Sequence, residues 1–443
     1  MPRNACRIWS IALAALLSLP HLSFSQELDR LVRAELNSLT EFYKDLHANP
    51  ELSYFEKNTS AKIAAQLRSA GFEVTYPVGK YPGDKYTCYG VVAMMKNGEG
   101  PTVLVRADMD ALPIEEKTGL EWASRVRMKD ISGEEVGVMH ACCHDMHSTT
   151  LVGTARLLSQ LKSRWSGTLI MIGQTAEERG GGARALLADG LYERWPVPDH
   201  ALALHVDPGV EAGKVGYCPG WAWASVDMVD ITIRGVGAHG ARPHQGRDPV
   251  VIAAQVINAL QTIVSREINP VDPGVVTVGS IHGGSKHNII PDEVKLQLTV
   301  RSFTEEVRQR ILTSIERITL NTCRAAGVPQ DRLPIITGGV EYTPGLYNDP
   351  ELTASTVKAL ESALGADRVV RIKPTTGGED FSEYGRTEHK VPIFYFRVGS
   401  AEPGSDPESR PGLHSPLFKP VHVPTITTGV KAMTAAVLNL MGR

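Results

Sequence analysis

From about Leu28 to Val210, segments with helical apolar spacing alternate with short, nearly continuous apolar runs. "TSAKIAAQLRSAGFEVTY" predicts a helix with Thr59 or Ser60 near its start and a stop at Gly71, followed by a strand. "YGVVAMMK", "PTVLVRAD", "GTLIMIGQTAE" and "HALALHV" predict strands. Runs apolar at nearly every position fit a sheet covered by helices on both faces. The expected class is therefore α/β, in three α/β/α layers.

The pattern changes between Trp223 and Thr337. "SVDMVDITIRGV" alternates like a half-exposed strand. "DPVVIAAQVINALQTIVSRE" predicts a helix opened by Asp248 and Pro249. "GVVTVGSI" and "DEVKLQLTVRSF" predict strands, and "TEEVRQRILTSIERITLNTCRAAG" a long helix ending at Gly327. These elements suit a small α+β unit with one exposed sheet face. The α/β pattern returns at "NDPELTASTVKAL", so the second unit reads as an insertion. The expected division is 26–222 and 338–443 for the larger domain and 223–337 for the insert.

At 443 residues the chain has room for two such cores, and its formal net charge of -3 offers no basic field for nucleic acid or an anionic membrane. The first residues differ. Arg3 and Arg7 precede "IWSIALAALLSLP", with small residues Ser23 and Ser25 ahead of a cut before Gln26. Residues 1–25 read as a signal peptide, and the run is short for a membrane span. A secreted or periplasmic protein is expected, with no stable membrane insertion. Beyond Cys6 the chain keeps five cysteines, an odd number and few for its length, so it is not a disulfide-stapled scaffold.

Polar groups collect where the predicted strands end. They are Asp108 and Asp110, Glu177 and Glu178, and His205. "HACCHDMH", His140 to His147, precedes a helix expected to begin near His147, and His414 follows in "GLHSPLF". Ligands bind beyond the carboxyl ends of strands in open α/β sheets. Each group alone has an ordinary explanation, as a solvated turn, a charged helix start or a structural histidine. Together they supply Cys, His and Glu donors suited to Zn²⁺ or another divalent transition metal. A structural zinc cage is the competing reading, but it would leave no spare carboxylate, and here a second Glu stands beside a candidate ligand. A disulfide between Cys142 and Cys143 is disfavoured. Adjacent Cα atoms lie about 3.8 Å apart, whereas ordinary disulfides need roughly 4.4–6.8 Å.

With these stretches in view, the sequence resembles the aminoacylase/carboxypeptidase family of dinuclear metallopeptidases. The similarity is to its amidohydrolase branch, with hippurate hydrolases, N-acyl-L-amino acid amidohydrolases and auxin–amino acid conjugate hydrolases. "DLHANPELSYFE", "VRADMDALPIEEKTGL", "GVMHACCHDMHSTTLVGTARLL", "QTAEERGGGARALLADG", "LALHVDPG", "GAHGARPHQGRDPV", "HNIIPDEVKLQLTVRSF", "GGEDFSEY" and "LHSPLF" carry it, in the family's order.

The resemblance implies two divalent ions, Zn²⁺ or Mn²⁺, sharing Cys142. His144 and His205 would complete one, and Glu178 and His414 the other. Glu177 would be the general base for a metal-activated water, and Asp110 would orient a ligand histidine. Asp108 and Asp145 receive no ligand role. The insert would be a lid and dimerisation domain, so a homodimer is implied. His239 of the lid would reach the oxyanion in the other subunit's site. Asn288 and Arg301 would bind the substrate carboxylate, although Arg301 could equally form a structural ion pair.

The branch usually has Gly where Cys143 stands, and often Gly where Leu298 stands. Cys142 is expected as the ligand and Cys143 as a free thiol pointing away. The implied activity is hydrolysis of N-acyl amino acids or short peptides. A dipeptidase or carboxypeptidase would use the same machinery. A binding protein on an inactive scaffold would have lost a ligand or the base, and none is missing here.

Overall fold

The structure is a computed structural model describing residues 23–443, apart from the side chains of residues 84 and 339–341. The apolar run expected as a signal peptide lies outside the described residues. The first helix, α1 (Phe24–Ala48), is opened by a capping box between Ser23 and Gln26. The cut expected before Gln26 therefore falls within its first turn. No helix among the described residues is long and apolar enough to cross a membrane.

The larger domain is built on α1, α2 (Lys57–Ser69), β1 (Glu73–Lys80), β2 (Thr87–Asn97), β3 (Thr102–Asp108), α3 (His144–Gln160), β4 (Gly167–Gln174), β5 (His200–Glu211) and β6 (Val215–Tyr217). The smaller unit supplies β7 (Ser225–Arg234), α4 (Pro249–Thr262), β8 (Gly274–Gly283), β9 (Glu293–Ser302), α5 (Glu305–Ala325) and β10 (Ile335–Thr343). The chain then returns through α6 (Pro350–Leu364), β11 (Val369–Arg371), β12 (Ile393–Ala401) and α7 (His422–Met441).

The large sheet runs β1-β2-β4-β3-β5-β12-β6-β11. Its centre, β4-β3-β5-β12, is parallel. In β3, Val103, Val105 and Ala107 enter the larger core with α1, α3 and α7, while Leu104 enters the core on the opposite face. That two-sided burial explains the unbroken apolar run. Arg106 points to the smaller core and is buried among carboxylates.

The smaller sheet runs β8-β9-β7-β10, with α4 and α5 over one face. In β7, Val229, Ile231 and Ile233 are buried against those helices, while Met228 and Asp230 are exposed. Leu298 is buried in the same core. The expected border at Thr337 cuts β10, which continues to Thr343 because its register with β7 resumes after a bulge. The two domains are joined by a short ribbon in which Gly220–Trp223 pairs with Leu346–Asn348.

Three local expectations change. Thr59 and Ser60 do not cap α2, which begins at Lys57; the Glu51 carboxylate accepts from the backbone N–H groups of Asn58 and Thr59 instead. Helix α3 begins at His144 rather than near His147, because the Cys143 carbonyl already accepts from Met146 and His147. His205 lies inside β5 rather than at its end, since pairing with β12 continues past it to Asp207.

Candidate metal centre

The centre forms where β3, β4 and β5 run out beneath the start of α3. The first fixed point is Asp110, two residues past β3 and almost fully buried. Its Oδ1 bonds to His144 Nδ1 at 3.2 Å and accepts from the Glu177 N–H at 3.1 Å. Its Oδ2 accepts from the Ser53 hydroxyl at 2.6 Å and from the Glu178 N–H at 3.1 Å. One carboxylate thus locks a histidine ring and the short turn Glu177–Arg179.

That turn is bent into position by Ala176, at φ +49°. The buried Glu56 accepts the Ala176 N–H at 2.8 Å. The three consecutive N–H groups of Ala176, Glu177 and Glu178 are therefore held by two carboxylates. A left-handed non-glycine residue costs roughly 1–3 kcal/mol, and these bonds offset it.

Hydrogen bonds also decide the tautomers. His144 donates from Nδ1 to Asp110. His205 Nδ1 lies 2.7 Å from the Val206 carbonyl, which can only accept. Both rings therefore direct Nε2 at the centre, and a cation bound to His144 would take the place of a proton there. His147 does not, because its Nε2 accepts the Val206 N–H at 2.9 Å and its Nδ1 donates to Asp108 at 2.5 Å. Asp108 also bonds Arg106 at 2.6 Å, and Asp145 bonds His47 at 2.6 Å.

Cys142 lies between two donor groups. Its Sγ is 3.4 Å from His205 Nε2 and 3.3 Å from His414 Nε2. The donor atoms of Cys142, His144 and His205 lie within 4.8 Å of one another, as do those of Cys142, Glu178 and His414. His414 sits at φ +65°, with its N–H on the Ala141 carbonyl at 2.9 Å, which ties the distant C-terminal loop to the cysteine turn.

The chemistry of these donors fits divalent cations. Among the described residues, His144 Nε2 and Glu178 Oε1 are buried without a hydrogen-bond partner. Burial and neighbouring carboxylates push the Glu178 carboxyl up to about 7 and raise Glu177 well above its ordinary range. Burial and the charges of Glu178 and Glu177 raise the Cys142 thiol. Burial opposes charge on His144, yet Asp108 and Asp110 lift it to about 10. Anions are crowded here, and a dication would satisfy both the crowding and the orphaned donor atoms.

Cys143 adopts φ +63°, just before α3, which explains why glycine suits this position. Its side chain is buried in the main core, while Cys142 faces the cleft, and both are free thiols. Cys143→Gly should relieve left-handed strain of roughly 1–2 kcal/mol. Against this stands a similar loss, since each buried CH₂-sized group contributes about 0.8 kcal/mol. We expect a stability change within about 1 kcal/mol, with metal and activity retained, as read by denaturation and elemental analysis. Loss of metal in a folded variant would instead show that the Cys143 side chain supports the centre from the core.

The donors open on a cleft of about 540 Å³ that also includes Arg301 and Gly378. Arg301 makes its hydrogen bond to the Thr299 hydroxyl at 3.1 Å and no carboxylate ion pair among the described residues. The structural ion pair considered for it is therefore absent there. His239 and Asn288 do not line this cleft within one chain. They stand together on an exposed two-stranded ribbon, where His239 pairs with Ile289, His239 Nδ1 accepts the Ala241 N–H and the Asn288 carbonyl accepts from Gly240.

Several supporting residues carry no role in the sequence reading. Ser53 and Glu56 belong to "DLHANPELSYFE", where polar residues recur on a stretch that proves largely buried. Arg106 meets Asp108, Glu379 and Asp380 at 2.6–3.0 Å.

A mixed α/β sheet thus carries two donor groups that share a sulfur, with a further carboxylate beside them, the arrangement a metal-dependent hydrolase requires. The profile of peptidase family M20/M25/M40 matches residues 104–439. N-acetyl-L-cysteine deacetylase of Bacillus subtilis is 39% identical over 358 residues, 80% of this chain and 78% of that one. Thermostable carboxypeptidase 2 of Saccharolobus solfataricus is 36% identical over 375 residues, 82% of this chain and 86% of that one. Among solved structures, a Bacillus subtilis dinuclear metal binding peptidase of the M20 family matches with a TM-score of 0.72 and 30% identity, covering 92% of this chain and 100% of that one. The chain belongs to peptidase family M20/M25/M40.

Proposed function

We propose that the protein is an exported hydrolase of N-acyl amino acids or short peptides, working as a homodimer with two divalent ions per chain. The observation that carries the chemistry is Cys142, set between the His205 and His414 rings with Glu177 and Glu178 alongside. Cys142 would be shared, His144 and His205 would hold one ion, and Glu178 and His414 the other. The ions, Zn²⁺ or Mn²⁺, would supply Lewis acidity toward water and the substrate carbonyl.

Glu177 takes the proton of the attacking water and returns it to the leaving amine. Asp110 accepts from His144 Nδ1 and so turns Nε2 toward the centre, where it would bind the cation. Arg301, which lacks an acidic partner among the described residues, binds the substrate carboxylate, and Asn288, which stands beside His239 outside its own chain's cleft, would add a second contact across the dimer. His239 stabilises the oxyanion from the partner subunit, since its exposed position keeps it out of its own chain's cleft. Export rests on the N-terminal apolar run and places the mature enzyme in the periplasm or outside the cell.

Carboxypeptidase action is the second reading, favoured by the Saccharolobus relative. A screen of N-acyl amino acids against dipeptides with free amines, on metal-reconstituted enzyme, separates action on N-acyl amino acids from peptidase action. Failure to hydrolyse either class would remove both readings.

The dimer has its own test. His239→Ala should lower kcat more than it raises KM. Mixing it with Glu177→Gln should restore activity through hybrid dimers. No recovery after demonstrated subunit exchange would exclude action in trans.

A further inference from the structure

Two carboxylates where β3 ends meet two histidines where α3 begins. Asp110 bonds His144 at 3.2 Å, and Asp108 bonds His147 at 2.5 Å. Residues three apart on a helix share a face, so both rings turn toward the sheet. The first of these rungs ends on a candidate ligand. The second does not, because His147 Nε2 is occupied by the Val206 N–H at 2.9 Å. Yet Asp108 and His147 are buried as deeply as the donors themselves.

The second rung fills a gap in the sheet. Pairing between β3 and β5 stops at Arg106 and Ala203, short of Val206. A buried N–H beyond that point still needs an acceptor, and the His147 ring supplies it. A backbone N–H can only donate, so Nε2 accepts and the ring proton sits on Nδ1, facing Asp108. Asp108 is held in turn by Arg106 at 2.6 Å, and Arg106 also bonds Gln174 and Asp380, each at 2.9 Å. At the other end, Val206 meets His205. Its carbonyl accepts from His205 Nδ1 at 2.7 Å, and the His147 and His205 rings are in contact, with centroids 4.5 Å apart.

We propose that Asp108 and His147 are positioning residues for His205, acting through Val206. The assignment rests on the reading of His205 as a metal ligand. The line runs from Arg106 through Asp108 and His147 to the residue whose carbonyl fixes the His205 ring. The two histidines that would hold one ion are then each governed by a carboxylate at the end of β3. Asp110 acts on His144 directly, and Asp108 acts on His205 at one remove. Groups that orient a ligand histidine set its affinity for metal without touching the ion. A rung that merely fastened α3 to the sheet would affect stability and leave the metal alone.

The test challenges Zn²⁺-reconstituted protein with graded chelator and reads retained metal by elemental analysis, with a thermal melt of each sample. His147→Phe keeps a ring against His205 but offers Val206 no acceptor. His147→Gln offers an acceptor to Val206 and a donor to Asp108. The phenylalanine variant should hold one ion roughly 10- to 100-fold more weakly and the other nearly unchanged, whereas glutamine should restore most of the loss. The visible spectrum of the Co²⁺-loaded protein should shift in the first variant and return toward the wild type in the second. Asp108→Asn is the independent route if His147→Phe fails to fold. Whichever way its amide turns, an N–H₂ meets either the Arg106 donors or His147 Nδ1, so the line is broken at nearly constant volume, and the same ion should weaken. A folded His147→Phe or Asp108→Asn that keeps both ions at wild-type affinity overturns the positioning role and leaves the metal centre intact. A wild type that takes up no Zn²⁺ overturns the metal centre, and this role with it.

Discussion

Glu177→Gln should lower kcat by roughly 10²–10⁴-fold, the usual contribution of a general base, while metal content and melting temperature stay near those of the wild type. The fixed backbone makes this substitution informative. The Glu177 N–H is held by Asp110, so glutamine inherits the same turn. Among the described residues its carboxylate accepts no hydrogen bond and is about 10% exposed, leaving it free to meet a water in the cleft. The amide preserves shape and removes proton affinity alone. It also removes one charge from a crowded set that includes Glu379 and Asp380, so stability should not fall. Steady-state kinetics with elemental analysis of the same samples gives the answer. Near-normal turnover would take the role of base away from Glu177.

Cys142→Ala should lose most of the bound metal and, with it, activity by more than about 100-fold. Partners that merely orient ligands typically account for 10–100-fold, and Cys142 belongs to both donor groups. The wild type should hold close to two divalent ions per chain. A chelator should abolish activity, and added divalent metal should restore it. Full activity in the metal-free chain would refute the mechanism, while full activity with a single ion would refute only the shared pair. Intact mass and thiol labelling of the active protein add an independent check. A bond between Cys142 and Cys143 in that form would defeat the thiolate assignment, because the sulfur would no longer be a deprotonated donor.

The donors were legible in the sequence because each lies in a short motif of unusual composition. Cys142 and His144 are two residues apart, Glu177 and Glu178 adjoin, and His205 follows an apolar run. The α/β class was legible for a related reason, since two-sided burial leaves a continuous apolar signature. What holds the donors in place was less accessible. Glu56 reaches Ala176 across 120 positions, and Arg106 reaches Asp380 across 274. No local periodicity records such pairings. The start of α2 was misplaced for the same kind of reason. Thr59 and Ser60 have good capping chemistry, but Glu51 arrives first through the turn before the helix. The position of His239 and Asn288 outside the cleft is equally invisible in spacing, because it depends on how the smaller unit presents its exposed ribbon.

The single carboxylate of Asp110, bonded both to the His144 ring and to the Glu177–Glu178 backbone, makes two properties of the protein reciprocal. Whatever steadies the imidazole also steadies the turn, and a disturbance of either is felt by the other with the same free energy. The setting of the ring and the setting of the turn are therefore not separately adjustable through this residue, and variants that loosen one should loosen both.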